Sequence, residues 1–561
     1  METDCSLELR IGKPHIDHDN KDDTRIATFT RFVLPFAYKL EEQQASPPSS
    51  PSPLHYTLNP LSDLSFLKRK KYFTRETGRI LYEQALWLDI CADWSETAWG
   101  KAEVEIILRD RSFKIGMKPP RITLFEAAGG QGGDIPARLA AQKEADIRHT
   151  GFLQVDLYFP EEQENKPELD DLLLFNEMFR YYDMPYDAHL EHFIKSFGKV
   201  PVRYSGTEPF LTVAELAEGD AEAAAQHCYF DRWANLLEIP LVFNNRRYRL
   251  FPQAWAEAGR AWTCGKERKI TSTHWQIYDE NRAYVWTAAF LAEGGRTLQK
   301  CFAPDKDTLQ AGDYGHWIKL LNVDAPDYNF AEKKYYPPAH THQSSQFEQK
   351  WAEQRTYKRW EEGGTWYGFC YHGGAVLGPP LFNVFHPVES YYFDALMLLF
   401  FIRMSLFRFS KALSDILMDE QGWDSRREDL IALRKKFTRF TVLYRYPIVS
   451  NQQQMLELYE LQHACFDIER FFKEVQVEID HTHEFLEVLE ANRLADAANN
   501  LATYGIPLAV LAVLAALLAV PNLHLIDVLD HIPEWGVVLL AFLVPLRWLK
   551  NKKPTKNKGA E

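Results

Sequence analysis

Two patterns of hydrophobic and polar positions divide the chain. Up to about residue 386, short apolar runs such as 104–108 and 122–125 alternate with amphipathic stretches such as 169–184. Short apolar runs are typical of buried strands, and an apolar period of 3.6 residues is typical of helices. Beyond residue 386 the pattern is almost wholly helical. The sequence therefore predicts an α+β protein in which a large α/β domain precedes a long helical region.

Amino-acid composition indicates the remaining domain boundaries. The stretch SPPSSPSP at 46–53 has the composition of an exposed linker, and the last dozen residues are rich in lysine. The predicted domains are an N-terminal segment with its linker (1–53), a cytosolic α/β domain (54–386), a helical bundle and coiled-coil stalk (387–500), two apolar segments (501–549) and a basic cytoplasmic tail (550–561).

The stalk carries an apolar seam with a 3.5-residue repeat. After Ser450 the sequence contains no glycine or proline until Gly505, and we expect one continuous helix over 450–520. The seam comprises Leu458, Leu461, Cys465, Ile468, Phe472, Val475, Ile479, Thr482, Leu486 and Leu489. Such a seam requires partner helices, so we expect Ile468 and Phe472 to drive assembly of a homo-oligomer. The alternative is a two- or three-stranded coiled coil that only anchors the protein.

Two apolar segments near the C-terminus predict membrane helices. Segment 501–520 has twenty residues without a charge, which matches a hydrocarbon core of about 30 Å, and 535–549 resembles a return span. Lysines after the second segment place the tail in the cytoplasm. We therefore expect a C-terminal two-helix transmembrane hairpin, in a multi-pass protein of the cytoplasmic (inner) membrane with both termini in the cytoplasm. The alternative is a buried hydrophobic hairpin in a soluble protein.

The seam becomes polar as it approaches the first apolar segment. Polar groups at a membrane boundary are costly when they face lipid, so their position indicates a hydrated axis between helices. Polar members would contact water around an ion, and apolar members could close the path by dewetting. The predicted pore-lining residues are Asn492, Asp496, Asn500, Thr503, Val510, Leu514 and Leu517.

These features resemble the CorA family of divalent-cation channels. The matching features are the long helix 450–520, the spacing of Asn492 and Pro507, the loop sequence Ile-Pro-Glu-Trp at 532–535 and the tail RWLKNKK. The resemblance implies a pentamer in a lipid bilayer that passes a divalent cation such as Mg²⁺. It also implies an outer mouth formed by Asn522, Asp527, Asp530 and Glu534.

The chain departs from that family at its signature. Ala-Val-Pro-Asn at 519–522 stands where the family has Tyr-Gly-Met-Asn. CorA-like effectors beside type III CRISPR systems also lack the signature and have enlarged cytosolic domains. This resemblance implies an alternative function, in which a nucleotide second messenger activates a membrane effector of antiviral defence.

Charge and cysteine content narrow the classes of function that the sequence allows. The net charge is −14 although the tail is basic, and an acidic body argues against direct nucleic-acid binding. Seven scattered cysteines include no C-x-x-C pair, so neither a zinc ribbon nor a disulfide framework is indicated. No motif of a known enzyme class or cofactor site is present, so we expect no enzyme and no cofactor. A membrane-anchored enzyme or scaffold remains a further alternative.

Two weaker motifs carry candidate chemistry. A glycine-rich loop with Gly129, Gly130, Gly132 and Gly133 lies where backbone N–H groups could hold a phosphate, but it matches no established phosphate-binding pattern. His481 and His483 on the stalk could bind a metal between subunits. For both motifs a plain structural role is the favoured alternative: a flexible loop in the first case and surface histidines in the second.

Overall fold

The computed structural model describes the following residues, to which every structural statement below refers. They are 7–15, 25–42, 55–58, 68–91, 103–108, 111–125, 149–180, 203–205, 236–237, 239–243, 246–252, 260–263, 266–269, 282–292, 312–325, 328–329, 334–335, 345–418, 423–445 and 448–518.

A mixed sheet of 14 strands dominates the described part of the chain, in the order β16-β17-β18-β13-β1-β10-β9-β2-β3-β6-β7-β5-β4-β8. The strands are β1 Phe29–Glu42, β2 His55–Leu58, β3 Leu86–Cys91, β4 Glu103–Leu108, β5 Arg111–Met117, β6 Arg121–Leu124, β7 His149–Tyr158, β8 Arg203–Ser205, β9 Leu241–Phe243, β10 Arg246–Pro252, β11 Arg260–Thr263, β12 Lys266–Lys269, β13 Tyr284–Phe290, β14 Tyr328–Asn329, β15 Lys334–Tyr335, β16 Thr356–Tyr357, β17 Trp366–Phe369 and β18 Gly373–Gly378. β11 pairs only with β12, and β14 only with β15.

Strand β1 is the centre of this sheet. One half of it pairs with β13 and the other half with β10, while its opposite edge pairs antiparallel with β7 over ten residues. Its side chains are buried on both faces, from Phe29 and Thr30 to Tyr38, as expected of a strand covered on two sides. Polar side chains on β1 are therefore held inside the protein.

The described helices follow the sequence order. They are α1 Arg75–Arg79, α2 Leu169–Arg180, α3 Gly312–Asn322, α4 Ser345–Glu353, α5 Phe382–Glu389, α6 Tyr391–Met418, α7 Trp423–Tyr444, α8 Gln453–Cys465, α9 Ile468–Asn500 and α10 Ile506–Leu518, with π-helical turns at Ile80–Gln84 and Leu501–Gly505 and a 3-10 turn at Glu361–Gly363. The chain divides into two compact units. The first comprises Met1–Asp415 and Lys435–Val475, and the second comprises Ile416–Arg434 and Gln476–Glu561.

The expected continuous helix over 450–520 is wrong, because α8 ends before α9 begins. Asp467 adopts a left-handed backbone conformation with φ of 54°, which an aspartate tolerates better than most residues. The neighbouring Phe466 is buried and packs edge-on against Tyr284 at 5.5 Å between ring centroids. Tertiary packing of this aromatic side chain therefore accompanies a helix break that no glycine or proline announces.

The expected transmembrane hairpin is also wrong as a description of this fold. Among the described residues, none of the helices combines the length and the apolar character needed to cross a bilayer. The π-helical turn Leu501–Gly505 divides the apolar run, and α10 has 13 residues, or about 20 Å of helix at 1.5 Å per residue. The second arm, 535–549, lies outside the described residues. What the structure supports is an α+β fold with a large mixed sheet and long helices.

Candidate functional site

The polar residues of the predicted ion path lie along the last part of α9 and the turn that follows it. Asn492, Asp496 and Asn500 are exposed, and Thr503 is half-buried. Thr503 donates its hydroxyl hydrogen bond to the backbone carbonyl of Asn499 at 2.6 Å, so it is tied to its own helix. The structure thus aligns three of these side chains on one open helix.

Other predicted site residues are described less fully or not at all. Val510, Leu514 and Leu517 belong to α10 by their backbone. The outer-mouth residues Asn522, Asp527, Asp530 and Glu534 lie outside the described residues, as do the loop glycines Gly129, Gly130, Gly132 and Gly133.

The histidine pair of the stalk lies on α9 but does not form a metal centre with described neighbours. His481 is exposed, whereas His483 is half-buried with Nε2 3.2 Å from Oε1 of Glu487, one turn further along the helix. The described ranges contain no group of three histidine, cysteine or acidic side chains arranged to hold a metal ion.

In the first unit, seam residues of α9 pack within their own chain. Phe472 is 3% exposed, its ring lies 5.4 Å from that of Phe437 on α7, and the guanidinium of Arg445 covers its face at 4.3 Å. Arg445 also binds both carboxylate oxygens of Glu469, at 2.6 and 2.7 Å. An intramolecular helix therefore fills at least this part of the predicted seam.

In the second unit, other segments of α7 and α9 also carry buried side chains. Ile479 and Leu486 of α9 are buried, as are Leu430 and Leu433 of α7. Two ion pairs join α7 to α9 in this unit: Arg434 lies 3.5 Å from Asp480, and Arg427 pairs with Glu490. No described residue from 491 onward in α9 is buried.

Among the described residues, a cluster of buried charges lies on β1 and β7 of the first unit, and no sequence pattern predicted it. Arg31 donates two hydrogen bonds to the carboxylate of Asp156, at 2.6 and 2.8 Å. Burial alone would raise the pKa of Asp156, but Arg31, Lys118 and Arg121 outweigh it and hold that pKa below its ordinary value. The Lys118 amine lies 3.9 Å from Asp156, and burial lowers its pKa.

This cluster also holds the end of α5 against the sheet. The backbone carbonyl of Glu389 accepts hydrogen bonds from Arg31 at 3.5 Å and from Arg69 at 3.3 Å, and Trp286 donates to the carbonyl of Val388 at 3.1 Å. Carbonyls in the last turn of a helix have no intrahelical partner, so cationic and N–H side chains stabilise them. The cluster therefore fixes the point where α5 gives way to α6.

Asp394, in the first turn of α6, is the fully buried acid of this cluster. It accepts a hydrogen bond from Tyr82 at 2.5 Å, and Arg69 lies 3.5 Å away, yet its Oδ1 atom has no hydrogen-bond partner among the described residues. Burial raises the pKa of Asp394, and the favourable contributions of Arg69 and Tyr82 only partly offset that effect. Folding therefore makes this side chain easier to protonate than it is in the unfolded chain.

Asp394→Asn is expected to change how stability depends on pH. Because the folded state raises the pKa of Asp394, the wild type gains stability from this group as pH falls through that pKa, and it loses that gain as pH rises. The asparagine variant lacks this titration. The free energy of unfolding of the wild type should therefore rise relative to that of the variant as pH falls. Urea unfolding from pH 8 to pH 4 measures the difference. A difference that stays constant or moves the opposite way would contradict the burial effect.

Taken together, the first unit contains a mixed sheet with a buried ion cluster, and the second contains an exposed helix with a polar stripe. The chain matches no protein-family model, no curated protein and no solved structure. The resemblance to CorA channels therefore stays a prediction from the sequence.

Proposed function

We propose that this protein is a homo-oligomeric cation channel resembling the CorA family, acting at the cytoplasmic membrane. In this proposal the last part of α9 from each copy lines the path of a hydrated divalent cation such as Mg²⁺. The exposure of α9 beyond residue 490 supports the proposal most directly. Every residue over 491–500 is exposed in the single chain, including Leu494 at 71%. A helix without tertiary contacts is marginal in water, so other molecules are expected to cover it.

The chemistry of the exposed stripe favours a cation. Asn492, Asp496 and Asn500 recur every fourth residue, and such residues lie along one face of a helix. Mg²⁺ keeps most of its water shell and binds oxygen ligands, which amide and carboxylate side chains provide. A ring of Asp496 side chains, one from each copy, would attract cations and exclude anions.

The segment after the stripe is apolar on all sides. Ile506, Leu508 and Leu511 are each more than half exposed in the single chain. A helix that is apolar all round is normally covered by other protein or by lipid. This supports an assembled form in which α10 is covered by other copies of the chain or by lipid.

Asp496→Lys is the variant that tests the channel. In vesicles containing the full-length protein, we expect Mg²⁺ influx through the wild type and a loss of at least about tenfold in the variant, because a ring of lysines repels divalent cations. The matched control is Glu474→Lys, which places the same charge change on an exposed position of α9 away from the stripe. Flux of the control should stay within about twofold of wild type, since a distant exposed charge is screened by salt.

Three outcomes would overturn the proposal. In the first, Mg²⁺ influx into vesicles containing the wild type is no faster than into empty vesicles. In the second, Asp496→Lys conducts as well as the wild type. In the third, Asp496→Lys and Glu474→Lys lose the same fraction of the flux. The last result would show a general effect of helix charge and would remove Asp496 from the path.

A further inference from the structure

One face of α7 in the first unit is basic and open. Lys435, Arg439 and Val442 are exposed and recur at four and three residues, so they lie along one side of the helix. Phe437, Phe440 and Tyr444 on the other side are buried. Among the described residues, no carboxylate pairs with Lys435 or Arg439, and Val442 is 69% exposed. We call Lys435, Arg439 and Val442 the basic face.

One face of α9 in the second unit has the opposite charge. Glu478, Glu484, Phe485 and Val488 lie on α9 outside the row of buried residues that includes Ile479 and Leu486, and all four are exposed. Within the described ranges, neither Glu478 nor Glu484 forms an ion pair. Phe485 and Val488 are 56% and 57% exposed, so they add apolar surface beside the two charges. We call these four residues the acidic face.

We propose that the basic face of one copy binds the acidic face of a second copy. Each face combines two open charges with exposed apolar surface, and the charges of one complement those of the other. Electrostatic complementarity of this kind fixes partner and register, while apolar contact supplies much of the affinity. Neither face includes the buried row of its own helix, so the contacts that fill that row leave the face exposed.

The geometry of such a contact bears on the proposed channel. An interface between two different surfaces of the same chain is heterologous, and heterologous interfaces close into rings when the rotation between copies permits. A ring around one axis is what a channel lined by α9 requires. The inference rests on the proposed function in this one respect: both need the chain to form an oligomer.

Charge reversal with rescue tests the interface. One variant carries Lys435→Glu and Arg439→Glu, a second carries Glu478→Lys and Glu484→Lys, and a third combines all four changes. The purified full-length proteins are compared by sedimentation at about 0.15 M salt, where surface charges still interact over roughly 8 Å. Each single-face variant should dissociate at least tenfold more readily than wild type, on the order of a lost charged contact. The combined variant should recover to within about threefold, because the charges are again complementary.

The control variant changes the same charges elsewhere on the surface. Lys114→Glu with Glu162→Lys alters two exposed positions that belong to neither face and should leave association unchanged. Circular dichroism confirms that each variant is folded, which exposed substitutions normally permit. Wild-type association in both single-face variants, or failure of the combined variant to recover, would overturn the interface.

The interface and the channel can fail separately. An oligomer that shows rescue but carries no Mg²⁺ flux would refute the channel and leave the interface standing. A conducting oligomer that ignores all four charge reversals would refute the interface and leave the channel standing.

Discussion

Asp156→Asn is expected to lower the free energy of unfolding by about 3–5 kcal/mol, the usual effect of removing one partner of a buried ion pair. The Arg31 and Asp156 side chains are only 3% and 10% exposed, and they share two short hydrogen bonds. An asparagine keeps the shape but not the charge, so the Arg31 guanidinium would remain buried without its principal counterion. Chemical denaturation of the full-length protein measures the loss.

A second arginine–carboxylate pair provides a matched control. Arg445 also binds both oxygens of Glu469, but these side chains are 46% and 65% exposed. Glu469→Gln should therefore cost less than about 1 kcal/mol, because water replaces the lost charge at the surface. Similar losses in Asp156→Asn and Glu469→Gln would show that burial does not determine the strength of the first pair.

The same pair predicts a pH dependence with a definite sign. The folded state lowers the pKa of Asp156, so its ionised form is more favourable in the folded chain than in the unfolded chain. Its contribution to stability is therefore present above the unfolded pKa of about 3.9 and is lost as pH falls through the folded pKa. The difference between wild type and Asp156→Asn should stay constant from pH 8 to pH 5 and shrink in stronger acid.

Local pattern predicts the types of element in this chain better than their partners. The alternation of strand-like and helical segments up to residue 386 and the helical character beyond it both agree with the α+β structure. The partners of β1 could not be predicted, because β1 and β7 are far apart in sequence and strand pairing depends on the whole sheet. Arg31 and Asp156, 125 positions apart, are an example. In the sequence each is an ordinary charged residue among apolar neighbours.

Periodicity and hydropathy misled in three specific ways. The 3.5-residue seam correctly indicates that α9 has a packing face, but periodicity does not say which helix fills it, and α7 of the same chain packs against Phe472. The break at Phe466 and Asp467 has no glycine or proline to announce it. The apolar run after Asn500 predicts a membrane span by length, whereas the structure divides it with a π-helical turn.

Because Phe472 packs within its own chain, its replacement is the second substitution expected to lower stability strongly. Phe472→Ala is expected to lower the free energy of unfolding by about 3–5 kcal/mol, since it removes a buried aromatic ring and leaves a cavity. The ring lies between that of Phe437 and the guanidinium of Arg445, so both would lose a packing partner. Urea unfolding of the full-length protein gives the size of this loss.

Phe485→Ala is the matched control on the same helix, because the Phe485 ring is 56% exposed and belongs to the acidic face. It should cost less than about 1 kcal/mol in unfolding, as surface substitutions usually do, while weakening association between copies. Protein concentration separates the two roles. A contact within one chain costs the same at every concentration, whereas a contact between copies stabilises the folded state by mass action. If the loss in Phe472→Ala grew or vanished with concentration, Phe472 would belong to an interface between copies, and its packing on α7 would not explain the buried seam.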